Sequence, residues 1–231
     1  MITLRFKMRT KAKLTRKTRS TTRRNRPGPR SSDAGLAVKE QLLKSAKTLF
    51  ARHGLSGISI RDIARASKIN SSMISYYFQS KEGLYRECFR AIAKSRQDSA
   101  QRILSTVQDR KDFETKLGLM IDSIYSLFLE DRDAGLIIVR EYDRVQSPAS
   151  VDLKDSFNTI TQTMTDFFKQ GQKRDFVDAE SDPFLLASIF FGALITHMRI
   201  DHINEKTYGR TLKNSNERDM LKKQMIRLFT R

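Results

Sequence analysis

Ser71, Ser72, Ser75, Tyr76 and Tyr77 fall within one short run of the chain, and Arg61 and Lys68 stand just ahead of it. Hydroxyls and phenols both donate and accept hydrogen bonds, and arginine and lysine answer phosphate oxygens. Such a set can grip a polyanion and read base edges. Bond-breaking chemistry has no comparable foothold. There is no Gly-rich phosphate loop, no His-Glu-x-x-His and no Gly-x-Ser-x-Gly, and His53, His197 and His202 lack the spacing of metal ligands. The expectation is a binding protein that is not an enzyme and needs neither metal nor other cofactor.

The hydroxyl-bearing run needs two helices to position it. Ser59 can accept from free amides of a first turn while Asp62, three residues on, reaches back to it, which is a capping box. Ile60, Ile63 and Ala64 then share one face, and small Ala64 permits a close crossing by a second helix. Asn70 is the next N-cap, with Ile74 and Phe78 one turn apart behind it. Burying Ile69, Ile74 and Phe78 leaves Ser71, Ser72, Ser75 and Tyr76 on the outer face. Two short helices joined by a tight turn form a helix-turn-helix, whose second helix enters the major groove of DNA. Arg61 and Lys68 are expected to meet phosphates. Ser59, Asn70 and Met73 join them as expected DNA contacts.

At these residues a family resemblance becomes specific. Leu42-Leu43 through Ala46 and Leu49-Phe50 to Gly54, then Ser59-Ile60-Arg61-Asp62-Ile63-Ala64, then Ile74 to Tyr85 with Tyr76-Tyr77-Phe78-Gln79-Ser80-Lys81-Glu82-Gly83-Leu84, resemble in order and spacing the DNA-binding domain of TetR/AcrR-type repressors. The resemblance reaches from about Val38 to Tyr85. Two departures stand out. Lys68 occupies the place of a usual turn glycine, so the turn must accommodate a side chain at positive φ; Ser75 stands where the family often has tyrosine. The resemblance also implies that Lys81, at the start of a connector helix capped by Ser80, touches a phosphate.

Composition agrees with a helical, DNA-binding chain. The 231 residues carry a net charge of +18, and the first 30 residues, with 12 Lys or Arg and no acid, supply +12 of it. Such a run gains affinity for nucleic acid from counterion release, with a steep salt dependence and little sequence information. Residues 1–33 lack the apolar content to fold alone and are expected to be a disordered basic arm, either gripping DNA or merely solvated. A DNA-binding domain over 34–84 and a helical domain over 85–231 follow. A single cysteine, Cys88, excludes an internal disulfide, and no signal peptide opens the chain, so the cytoplasm is the expected compartment.

The apolar residues recur at helical periods, with 10 Gly and 4 Pro to interrupt them, so the fold class is all-α. The first helix is expected over 34–53, stopped by Gly54. Beyond the connector, which reads equally as one long helix or two, helices are expected over 112–130, 134–146, 150–173, 183–205 and 216–230. Phe184–Met198 is the most apolar run but is too short to span a bilayer.

The last two helices resemble those that pair a TetR-type protein with its twin, through Phe191, Leu194, Ile195, Met198, Leu221, Met225 and Leu228. The family's body also implies a small-molecule cavity, here drawn from Phe113, Met120, Tyr125, Phe128, Tyr142, Phe157, Met164, Phe168, Phe190 and His197, and suited to an apolar or aromatic effector. The resemblance thus implies a homodimeric repressor of a palindromic operator, released by a small molecule. An inducer-independent, nucleoid-type DNA-coating protein of the same fold is the alternative.

Overall fold

The computed structural model describes residues 33–142 and 149–231, excepting the side chains of Asp33, Tyr142, Ser150 and Leu153. The basic arm and the Ser147-Pro148 boundary lie outside the described residues. The described residues form ten helices and no strand: α1 (Asp33–His53), α2 (Ile60–Ser67), α3 (Ser71–Phe78), α4 (Lys81–Ile103), α5 (Arg110–Leu129), α6 (Arg132–Tyr142), α7 (Ser150–Gln172), α8 (Pro183–Arg199), α9 (Asp201–Tyr208) and α10 (Ser215–Phe229).

The amino-terminal head is built as its spacing requires. Leu42, Ala46 and Phe50 of α1 are fully buried, and Gly54 ends the helix at φ 72°, its amide donating to Phe50 O at 2.8 Å. Ile63, Ile74, Phe78 and Leu84 bring α2, α3 and the start of α4 onto that face. The same core takes in Leu127, Ala134 and Ile137, so α6 lies against the head. Polar bonds fasten this seam: Arg140 donates to the α1 carbonyls of Phe50 (2.8 Å) and Arg52 (3.2 Å), and Lys47 pairs with Asp131 at 2.9 Å.

The connector is one helix. Its polar stretch stays helical because Lys94 pairs with Asp98 one turn on at 2.8 Å while Ala93 and Ala100 keep the inner face small and buried. Between these two alanines the core changes: Leu84 to Ala93 belong with the head, Ala100 and Leu104 with the body. The body core stacks Phe113 on Phe167 at 4.4 Å and gathers Phe168, Phe190 and Phe229 beside them.

The expected helix over 183–205 is two. α8 and α9 meet at a 59° bend at Ile200. There Asp201 turns its carboxylate away from the helix, accepting from Leu212 N (2.7 Å) and Thr211 Oγ1 (2.9 Å), and so ties α9 to the loop before α10. The expected 134–146 helix is described only to Tyr142. No single described helix is long and apolar enough to cross a membrane.

Candidate nucleic-acid interface

Two caps set the angle between α2 and α3. Ser59 Oγ accepts from Asp62 N at 3.2 Å, and Asp62 Oδ2 in turn accepts from Ser59 N at 2.9 Å, closing the capping box. The hydroxyl and amide of Ser59, and then Arg65, hold the Asp62 carboxyl below its usual range. At the other end of α2, Lys68 adopts φ 55° and ψ 29°, and its amide donates to Ala64 O and Arg65 O. A lysine therefore takes the left-handed turn without glycine. Asn70 then caps α3, its Oδ1 accepting from Ser72 N at 2.9 Å and Ser72 Oγ at 3.0 Å.

Ile74 and Phe78 point inward from α3, and the outer face is open. Ser72 and Ser75 are exposed, Ser71 is half-buried, and Tyr76 is 59% exposed. Arg61 and Lys68 are exposed on the same two-helix unit, as are Ser59 and Asn70, although the Ser59 hydroxyl is engaged in its cap. These residues are brought together as a polar, basic surface with an aromatic at its centre.

Three expected contacts are placed differently. Met73 is half-buried and packs on the head core. Tyr77 also packs there, edge-on to Tyr76 at 4.9 Å, and its hydroxyl is sealed from solvent without a partner among the described residues. Lys81 turns its ammonium inward to Ile58 O at 3.0 Å, binding the loop before α2 to the start of α4. Two residues not singled out from sequence belong to the surface. Arg65 is exposed and paired with Asp62 at 3.2 Å. Gln79, exposed at φ 67°, turns the chain between α3 and the Ser80 cap. The signal for Gln79 is the single residue between a helix ending at Phe78 and a new cap, which forces an abrupt turn.

In the body, a cavity of about 110 Å³ opens between α4, α5, α6, α7 and α8. Of the ten residues expected to line it, Met120, Phe128 and Phe157 do so. Phe113, Met164, Phe168 and Phe190 are fully buried in the packed core instead, because α5, α7 and α8 press these rings together and leave no space between them. Tyr125 is buried as well, and burial holds its phenol protonated. His197 is exposed and lines a different groove beside α9 and α10, and the Tyr142 side chain lies outside the described set.

The expected dimer residues divide in the same way. Leu194, Met225 and Phe191 face the chain's own core, while Ile195, Met198 and Leu221 are half-buried at its border. Only Leu228 stands free, at 74% exposure. The outward apolar face of α8 is carried by Leu185 and Ile189, rotated by roughly a third to nearly half a turn from the residues expected, while exposed Phe184, about two turns before Phe191, shares the expected side.

The model of the bacterial regulatory proteins, tetR family, matches residues 42–88. A protein of Bacillus subtilis described as a probable HTH-type transcriptional regulator, YttP, is 30% identical over 87 residues, which are 38% of this chain and 42% of that one. The HTH-type transcriptional repressor KstR2 of Mycolicibacterium smegmatis is 29% identical over 135 residues, 58% of this chain and 64% of its own. The chain thus spans about half the length of the curated relatives it matches. Among solved structures, the ketosteroid regulator KstR2 of Mycobacterium tuberculosis superimposes with a TM-score of 0.63 at 17% identity, covering 84% of this chain and 95% of that one. FadR of Bacillus subtilis, solved with stearoyl-CoA, gives a TM-score of 0.67 at 15% identity over 82% of this chain and 96% of its own. Residues 42–88 thus match the tetR family of bacterial regulatory proteins, and the chain as a whole shares the fold of these solved structures.

Proposed function

We infer that the chain is a transcriptional repressor that binds a palindromic operator as a homodimer and is released by an apolar small molecule. The observation that carries this reading is the outer face of α3, where Ser72, Ser75 and Tyr76 are exposed while Ile60 and Ile63 of α2 and Ile74 and Phe78 of α3 are turned onto the core. A single helix of this length discriminates poorly, and two copies held one helical turn of DNA apart, about 34 Å, read successive major-groove faces. The free apolar face of α8 and Leu228 of α10 support a second copy as the partner. The cavity beneath α4 supports a small effector, since a ligand there touches the helix that carries the heads. FadR binding stearoyl-CoA in its solved complex favours an apolar one.

Gel shifts against an operator recovered from random duplexes test this reading. We expect that operator to bind about 10³-fold or more tighter than bulk duplex at the same salt. Equal binding to both would favour the DNA-coating alternative, in which the net charge of +18 dominates affinity.

A further inference from the structure

The body cavity is walled by Phe89, Met120, Ile124, Phe157, Ile160 and Phe191, and only four lining residues bring polar side chains to it: Arg96, Ser123, Ser156 and Thr161. Arg96, half-buried on α4, is the single charge among them. A guanidinium keeps its charge at any ordinary pH, and a charge against an apolar wall is costly unless an acceptor answers it. The only hydrogen bond of Arg96 among the described residues runs from Nη1 to Ser123 O at 3.4 Å, near the limit for such a bond, and no described carboxylate is within ion-pair distance of it. Its Nε is shut off from solvent and has no partner among the described residues. Thr161, buried on α7 at the same wall, has an Oγ1 in the same condition.

A cationic side chain and a hydroxyl side chain, each with a buried polar atom that lacks a partner among the described residues, thus border one apolar cavity, and an anion bound there would answer both once the side chains turn toward it. Nε stands on the side edge of the guanidinium, where it and an adjacent Nη can donate two near-parallel bonds to one carboxylate, and a hydroxyl from another residue lining the same cavity can donate a third. We propose that the effector is a compact amphiphilic monocarboxylate, its carboxylate held by Arg96 and Thr161 and its chain or ring held by the Phe, Ile and Met wall. The proposal rests on the reading of this cavity as the effector site and narrows the expected apolar compound to an acid. At about 110 Å³ the cavity lies below the usual range for drug-sized ligands, roughly 300–1,000 Å³, which favours a short chain. The carboxylate would act on α4 directly, because Arg96 belongs to the helix that begins at Lys81 beside α3.

Titration calorimetry of the full chain with octanoate, octanol, octylammonium and acetate separates the two levels of this reading. Octanoate should bind at least about 10-fold tighter than octanol or octylammonium, and acetate, which carries charge without a chain, should give no saturable binding. Arg96→Gln should remove the preference for octanoate over octanol, and Thr161→Val, nearly isosteric, should weaken octanoate about 3-fold or more while sparing octanol. Thr161→Val keeps the test decisive where Arg96→Gln does not fold, as monitored by circular dichroism. Octanol binding as tightly as octanoate, or octanoate binding unchanged by both substitutions, overturns the acid and leaves the cavity as an apolar effector site. Absence of binding by all three eight-carbon probes overturns both.

Discussion

Tyr76 and Tyr77 are adjacent, yet one carries its hydroxyl into solvent and the other buries it without an acceptor. Of the two, Tyr76 is the one whose hydroxyl is open to DNA, and the proposed contact is assigned to it. Tyr76→Phe should weaken operator binding about 5- to 10-fold, the worth of one hydrogen bond, and shift the melting temperature by no more than a few degrees. A large loss of stability would show that the hydroxyl is structural. Lys68→Gly separates strain from contact at the turn. Removing a side chain held at φ 55° should stabilise the fold by about 1 kcal/mol in denaturant melts, while the slope of log affinity against log salt falls by about 0.9 per half-site. Asp62 supplies a pH signature. Its carboxyl is depressed below 3.8, so its contribution is fully present above that value and is lost as pH falls through the lower folded value. The Ser59 amide resonance should therefore move in acid below about pH 4 in the wild type and stay fixed in Asp62→Asn. The two caps were legible in the sequence because each depends on neighbours two or three residues away, and the left-handed Lys68 because the resemblance puts a turn glycine at its place. The placements of Tyr77 and Lys81 were not, because α1 and the loop at Ile58, distant in sequence, decide them.

Among elements, α6 is the one whose role the sequence left blank. Its periodicity gives a helix but does not say against what it packs. In the fold its Ile137 enters the head core, its Ile138 and Val139 line the body cavity, and its Arg140 caps the carbonyls at the end of α1. The helix therefore touches both the body cavity and the DNA-binding head, in parallel with α4. Arg140→Ala leaves the Phe50 and Arg52 carbonyls without that donor and should cost about 1–2 kcal/mol in thermal unfolding, with faster hydrogen exchange at Gly54. Unchanged exchange there would mean that α6 does not hold α1. The break between α8 and α9 was hidden for a related reason: apolar spacing continues through Ile200 and Ile203, and the carboxylate that ties α9 elsewhere finds its acceptor-seeking partners in a loop ten residues on. The single long α4, which the sequence left open, is settled by small buried alanines whose neighbours come from other helices.

For the whole molecule, the head and the all-helical body could be read from capping residues and periodicity, but which side of a body helix faces in could not. An apolar helix such as α8 offers two plausible inner faces, and the packing of Phe190 and Leu194 against α5, α7 and α10 selects one. The opposite face, with Leu185 and Ile189 exposed, is the surface proposed to meet a second copy. Ile189→Glu should convert the dimer to a monomer by sedimentation, keep the helical circular dichroism signal, and reduce operator affinity by 100-fold or more, since each head then binds alone. A variant that remains dimeric would move the interface elsewhere. Dimethyl sulfate footprinting on the selected operator reports most directly on α3 in the groove, because the reagent methylates guanine N7 in the major groove and adenine N3 in the minor groove. We expect protection of guanine N7 in two patches about one helical turn apart, lost in Tyr76→Phe at limiting protein. Protection confined to adenine N3, or spread evenly along the duplex, would contradict the placement of α3 in the major groove.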